Sequence, residues 1–289
     1  MTLHWPKEYA GFDIAALHDW HHAGSNLCLD FHGDPQRADW VVFSDGNHHM
    51  ALEESLQTFV KQHAPDDEVF YATTPPGPIV NILQTGGLLL GNLKITIKPQ
   101  LFISPPAVLE KLQQQGLVGE IHPFMRNNGS VLLVKKGNPK KINGVDALTN
   151  REVRLFISNA EKEKVSYDGY AQTLQNLGIG DISKLNMVYG ERIHHREAPQ
   201  SIADDRADAA IVFYHLALRY IRIFPERFEI VPLGGTAEEP RPLAGNVIAD
   251  TALAMVRGEE THGEKLLTFM QSEIVTKIYQ RHGLRRITG

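Results

Sequence analysis

The chain has 289 residues, 42% hydrophobic and 22% charged, with a formal net charge of −5. This mildly acidic balance argues against nonspecific nucleic-acid binding, which needs a basic face, and no run of about 18 apolar residues is present to span a membrane. The single cysteine, Cys28, excludes an intrachain disulfide, so cysteine usage assigns no redox compartment.

A length near 300 points to two lobes rather than one. The start, MTLHWPKEYAGFDIAALHDWHH, lacks the basic stretch and long apolar run of a secretory leader. It reads as cytoplasmic if Met1 is native, or as a chain whose leader was trimmed.

Residues 1–37 form a polar, His-containing lead-in, with a short strand at Leu27–Phe31. Trp40–Phe43 reads as a buried strand, and His48–His63 as a helix with Met50, Leu52, Leu56, Phe59 and Val60 on its apolar face. Glu68–Thr73 is the next strand. Ile79–Gln84 is a helix stopped by Gly86-Gly87. Gln100–Ser104 is a strand and Pro106–Gln115 a helix ended by Gly116.

The same grammar continues with strand Ser130–Gly137, a short helix in GVDAL, and strand Val153–Ser158. Helix Tyr167–Leu177 ends at Gly178. Strand Met187–Gly190, helix Ala198–Asp205 and strand Ala209–Phe213 follow. The tail carries a strand at Asn246–Ala249 and one long helix from Gly263 to His282. Alternation of this kind predicts an α/β fold of mostly parallel sheets with helices on both faces.

Ligands of such sheets bind beyond the carboxyl ends of the strands. That rule selects the loops Ser44–His49, Thr73–Gly77, Ser104–Pro106, Ser158–Gly169, Gly190–Arg196 and Phe213–His215. His48 and His49 stand at the first of them, and His194, His195 and Arg196 at the fifth. The paired histidines admit three readings. They are surface residues of a first helical turn, or contacts to a ligand, or ligands to Zn or Ni, for which imidazole is suited. Neighbouring histidines lack the usual i, i+4 metal spacing. His18, His21 and His22 have it, and read more simply as a polar surface helix. A catalytic reading would need a base with a partner, such as His48 near Asp45 or His194 near Glu191. No nucleophile motif, phosphate-binding glycine loop or firmly spaced carboxylate pair accompanies them.

In order, VVFSDGNHHMALEESLQTF, FYATT with ILQTGG, LFIS, KKGNP before GVDAL, VSYDGYAQTLQNLGI, VYGERI, DRADAAIVF and LLTFMQSEIVTKIYQRHGL span about residues 40–284. Together they resemble a type II periplasmic binding protein, specifically the molybdate-binding branch of the solute-binding proteins of ABC transporters. The resemblance implies two α/β lobes joined by two crossovers and closing on a ligand. It places 38–120 plus 217–289 in the first lobe and 121–216 in the second. It implies a periplasmic monomer that captures a small anion without cofactor and hands it to transporter membrane subunits, with ligand sensing as the other use of the same capture.

The family holds its oxyanion with backbone N–H groups and hydroxyls at helix N-termini. By resemblance, its first hydroxyl falls near Asn47, with Ser44 earlier in the loop, and its second at Thr73 or Thr74. Ser104 opens a third mouth loop, and Asp45–His49 forms the first-lobe half of the cradle. The amide-offering loop of the second lobe matches Tyr167, Asp168 and Gly169, and the next matches Arg192 and Ile193. The family's last tyrosine aligns with Phe213, one place before Tyr214. Arg196 and the histidines make the expected site more cationic than a molybdate site, and a histidine there is expected to supply pH-sensitive positive charge.

Overall fold

The computed structural model describes residues 30–45, 48–73, 76–90, 93–161, 163–191 and 196–287. They fall into two units. One is continuous, Asn127–Ala249, and the other is discontinuous, ending at Arg126 and resuming at Asp250.

The discontinuous unit is built on β1 (Phe31–His32), β2 (Trp40–Ser44), β3 (Val69–Thr73), β6 (Leu101–Ser104), β7 (Val118–Asn127), β13 (Asp250–Val256) and β14 (Leu284–Arg286). A separate antiparallel pair, β4 (Leu88–Leu90) and β5 (Leu93–Ile95), precedes β6. The large sheet has the order β1-β3-β2-β6-β13-β7-β14. Its centre, β3-β2-β6, is parallel, and β13 runs antiparallel to both β6 and β7.

Each parallel strand feeds a helix: α1 (His49–His63), α2 (Pro76–Thr85) and α3 (Pro106–Gln114). All five residues of β2 are buried, as expected of a strand covered on both faces. The period of two sorts its side chains. Trp40 and Val42 join Leu52, Leu56 and Phe59 of α1 and Phe269 and Tyr279 of the C-terminal helices. Val41 and Phe43 join Ile79 and Ile82 of α2 and Leu109 and Leu112 of α3.

The continuous unit carries β8 (Ser130–Lys135), a 3₁₀ turn at Val145–Thr149, β9 (Arg154–Ile157), α4 (Lys164–Asn176), β10 (Asn186–Tyr189), α5 (Glu197–Ala203), β11 (Ala209–Phe213), α6 (Tyr214–Ile223) and β12 (Phe228–Val231). Its sheet has the order β10-β9-β11-β8-β12. β10, β9 and β11 are parallel, while β8 is antiparallel to β11 and β12. The Asn246 side chain holds the start of β8. It accepts from Ser130 N–H and donates to Ser130 C=O, both at 2.8 Å. Gly129 leaves room for that amide, since a Cβ there would meet Asn246 Oδ1 at 2.7 Å.

Several expectations change. Both sheets are mixed: β1 and β13 run against the parallel strands of the first, and β8 runs against those of the second. Residues 217–249, read with the first lobe, lie in the continuous unit, where β12 pairs with β8. Asn246–Ala249 is not a strand: the Asn246 amide is committed to Ser130, and Val247 N–H donates to Thr173 Oγ1 at 3.0 Å. The long C-terminal helix is two helices, α7 (Glu260–Met270) and α8 (Glu273–Arg281). Ser272 restarts the second by accepting from Val275 N–H, as an N-cap does. Phe31–His32, part of the lead-in, is an edge strand against β3. Residues 1–29 lie outside the described residues.

Candidate functional site

The carboxyl ends of β3, β2 and β6 carry Thr73, Ser44 and Ser104, all buried. Ser44 lies level with Thr73 across the parallel pair. Ser44 and Ser104 are each 0% exposed, and neither hydroxyl makes a hydrogen bond among the described residues. Thr73 Oγ1 shares a 3.2 Å hydrogen bond with His32 Nε2. α1 and α3 begin just past these ends without a side-chain cap, which leaves first-turn amides to find other partners. Buried polar groups are nearly always paired, so orphaned hydroxyls beside helix N-termini suit an anion. Asn47 and Thr74 lie outside the described residues.

His48 and His49 are buried, not on the surface. Their side chains diverge, as adjacent helical residues must. The ring of His49 stacks on His32 (4.5 Å), which stacks on Tyr71 (4.4 Å), and its Nε2 lies 3.9 Å from Glu53. His48 faces Tyr279 (5.6 Å) and Phe124 (6.5 Å). Burial holds the His48 imidazole below its ordinary pKa, with Asp45 opposing. The expected pH-sensitive positive charge is therefore not supplied by His48, which is neutral at neutral pH. The reading from sequence missed Tyr279, whose buried hydroxyl has no hydrogen-bond partner among the described residues. Burial, then the Asp45 charge, pushes its pKa up.

In the continuous unit, Tyr167 and Gly169 do not form an amide-offering loop. Both sit inside α4, and Tyr167 N–H already donates to Glu163 C=O at 2.9 Å. Asp168 turns outward to Lys164 at 2.6 Å. Tyr214 opens α6, and its hydroxyl donates to Ala237 C=O at 3.0 Å, a bond internal to the unit. Arg192, Ile193, His194 and His195 lie outside the described residues, so the His194/His195 half of the metal alternative does too. Arg196 is buried immediately before α5.

Beside it, Glu197 accepts from Glu191 N–H through both oxygens, at 2.9 and 3.1 Å. Glu163, just before α4, is pushed up to about 7 by burial and then by Glu197, with a hydrogen bond to Ser158 opposing. Ser130 is 0% exposed, and its hydroxyl makes no hydrogen bond among the described residues. Glu163, Glu197 and Ser130 were not singled out from sequence. Nothing local marks them: Glu197 acts on Glu163 from a segment distant in sequence. Among the described residues, no group of three or more His, Cys, Asp or Glu side chains is arranged to hold a metal. No helix among them is long and apolar enough to cross a membrane.

This is a solute-binding fold with hydroxyls and helix starts at its strand ends. The family model for bacterial extracellular solute-binding proteins matches residues 41–285, and the chain belongs to that family. Its fold is that of the type II periplasmic binding proteins. The periplasmic molybdate-binding protein of Azotobacter vinelandii is similar, with 18% identity and a TM-score of 0.62, over 86% of this chain and 100% of that one. The substrate-binding protein of an ABC transporter from Agrobacterium tumefaciens has 12% identity and a TM-score of 0.63, over 90% and 85%. The sulfate-binding protein of Mycobacterium tuberculosis has 17% identity and a TM-score of 0.57, over 86% and 86%. No curated protein matches.

Proposed function

We propose that the protein captures a small anion as the solute-binding component of an ABC transporter, without catalysing a reaction. The observation that carries this is the pair of fully buried hydroxyls of Ser44 and Ser104 on adjacent strand ends, without a hydrogen-bond partner among the described residues, each followed by a helix start that shows no side-chain cap. Hydroxyls and backbone amides donate to an anion without a buried formal charge to desolvate. Thr73 extends the row in the discontinuous unit. Similar folds that bind molybdate and sulfate support the same ligand class. The protein acts as a monomer that delivers its ligand to transporter membrane subunits.

The test is a thermal-shift screen of protein refolded to remove carried-over ligand, against molybdate, tungstate, sulfate, phosphate, small carboxylates, and Zn and Ni with a chelator control. A ligand that binds only the folded state raises the melting temperature by mass action. A rise with one anion class is expected; no rise with any anion, or a rise with Zn or Ni alone, contradicts the reading.

A further inference from the structure

Thr73, at the carboxyl end of β3, is held by a short strand of its own unit that starts about 40 residues earlier. β1 pairs antiparallel with β3, placing His32 opposite Tyr71 and Phe31 opposite Ala72. Just before β1, Asp30 C=O accepts from Thr73 N–H at 2.9 Å. One segment therefore holds Thr73 by its backbone and brings His32 to its side chain. Gly33 permits this close approach: its φ is 94°, and a Cβ there would collide with the Val69 carbonyl. β1 lies ahead of the residues shared with the family, 41–285, so the family pattern does not account for His32.

Packing fixes the His32 ring. Its centroid lies 4.4 Å from that of Tyr71 and 4.5 Å from that of His49, and these two rings lie 6.0 Å from each other. Held in this group, the ring presents Nε2 to Thr73 Oγ1 at 3.2 Å. His32 is 3% exposed and Thr73 1%, so bulk water does not serve the hydroxyl. A hydroxyl has a single hydrogen. Spent on the ring nitrogen, it leaves only lone pairs to face an anion, and these repel it. Supplied to an anion, it requires Nε2 to carry the hydrogen of the 3.2 Å bond.

We infer that His32 is a positioning residue of anion capture: its Nε2–H donates to Thr73 Oγ1 and turns the Thr73 hydroxyl hydrogen toward the bound anion. The inference rests on the anion-capture reading and deepens it. Thr73 meets the ligand, and His32 acts through Thr73. Nε2 carries a hydrogen in one neutral tautomer as well as in the imidazolium, so the role needs no positive charge on His32. Thr73 then joins Ser44, level with it on β2, as a hydroxyl that can only donate toward the ligand. Such a position selects an anion with an unprotonated oxygen there, because a protonated oxygen would set hydrogen against hydrogen.

Isothermal titration with molybdate, sulfate, phosphate and small carboxylates tests this on wild type, T73V, H32F, H32Q and H32F/T73V. Valine keeps the shape of threonine without its hydroxyl. Phenylalanine keeps a ring without a donor, and glutamine restores an N–H at similar reach. For each anion that wild type binds, T73V and H32F should each lose roughly tenfold or more in affinity. The double variant should lose no more than T73V alone, and H32Q should stay within about threefold of wild type. A histidine that only packs would lower the melting temperature of H32F and leave the affinity of the folded protein unchanged. If H32F does not fold, H32M takes its place in both backgrounds, since a thioether cannot donate. T73V or the ring-donor variant binding as tightly as wild type, H32Q as weak as H32F, or losses that add in the double variant, would overturn the inference and leave anion capture standing. Wild type that binds none of these anions removes the capture reading and the inference with it.

Discussion

The imidazole of His48 lies 3.9 Å from the Asp45 carboxylate and is still held toward its neutral form. Ordinarily a carboxylate at this distance favours the imidazolium. Here the loss of water around a ring packed against Tyr279 and Phe124 outweighs the attraction. A base whose folded pKa lies below its unfolded value of about 6.5 leaves the folded state with fewer protons than the unfolded one. Its contribution is complete above that pH and is lost as pH falls below it. Melting temperature should therefore drop more steeply below about pH 6.5 in wild type than in H48Q. Equal acid slopes would show that His48 is charged in the fold.

The Ser44 and Ser104 hydroxyls make no hydrogen bond within the described fold. Removing such groups is nearly neutral for stability, but each bond lost to a charged ligand costs about 1.5–3 kcal/mol. S44A and S104A should each lose roughly tenfold or more in anion affinity while melting within a degree or two of wild type. A large fall in melting temperature with unchanged affinity would make the hydroxyls structural.

Two tyrosines give opposite expectations for the same change. The Tyr214 hydroxyl donates to Ala237 C=O, so Y214F should cost about 1 kcal/mol in denaturant unfolding. The Tyr279 hydroxyl is buried without a partner among the described residues, so Y279F should be neutral or stabilising. A loss at Tyr279 as large as that at Tyr214 would reveal a bond, such as one through an ordered water.

Asn246 satisfies both backbone groups of Ser130 at a buried position. N246A should lower unfolding free energy by about 2–3 kcal/mol, by orphaning a donor and an acceptor together. A change below about 0.5 kcal/mol would mean that water replaces the amide there.

The scaffold was legible in sequence where one local rule sufficed. WVVF read as a buried strand because nothing polar interrupts it, and the ends of α3 and α4 read from Gly116 and Gly178, which adopt φ of 72° and 110°. The row Ser44, Thr73 and Ser104 read from the same rule, since hydroxyls at strand ends fall on mouth loops. What failed depends on partners distant in the chain. β7 carries Pro123 and alternates irregularly in burial, so β13 rather than its own pattern defines it. α8 starts at Ser272 because a serine caps it, a signal hidden inside a continuous apolar period. Tyr167 and Gly169 were placed in a loop by resemblance, whereas α4 starts three residues earlier, at Lys164. Glu163 gave no signal at all: its pKa is pushed up by burial and then by Glu197, both of which arise only in the folded unit.

The most direct test of the central claim is isothermal titration of refolded protein with molybdate, sulfate, phosphate and small carboxylates, repeated on the S44A/S104A double variant. The account expects one anion class to bind with one site per chain, and the double variant to lose that binding while remaining folded. Heat-silent titrations with every anion, or a double variant that binds as tightly as wild type, would contradict it.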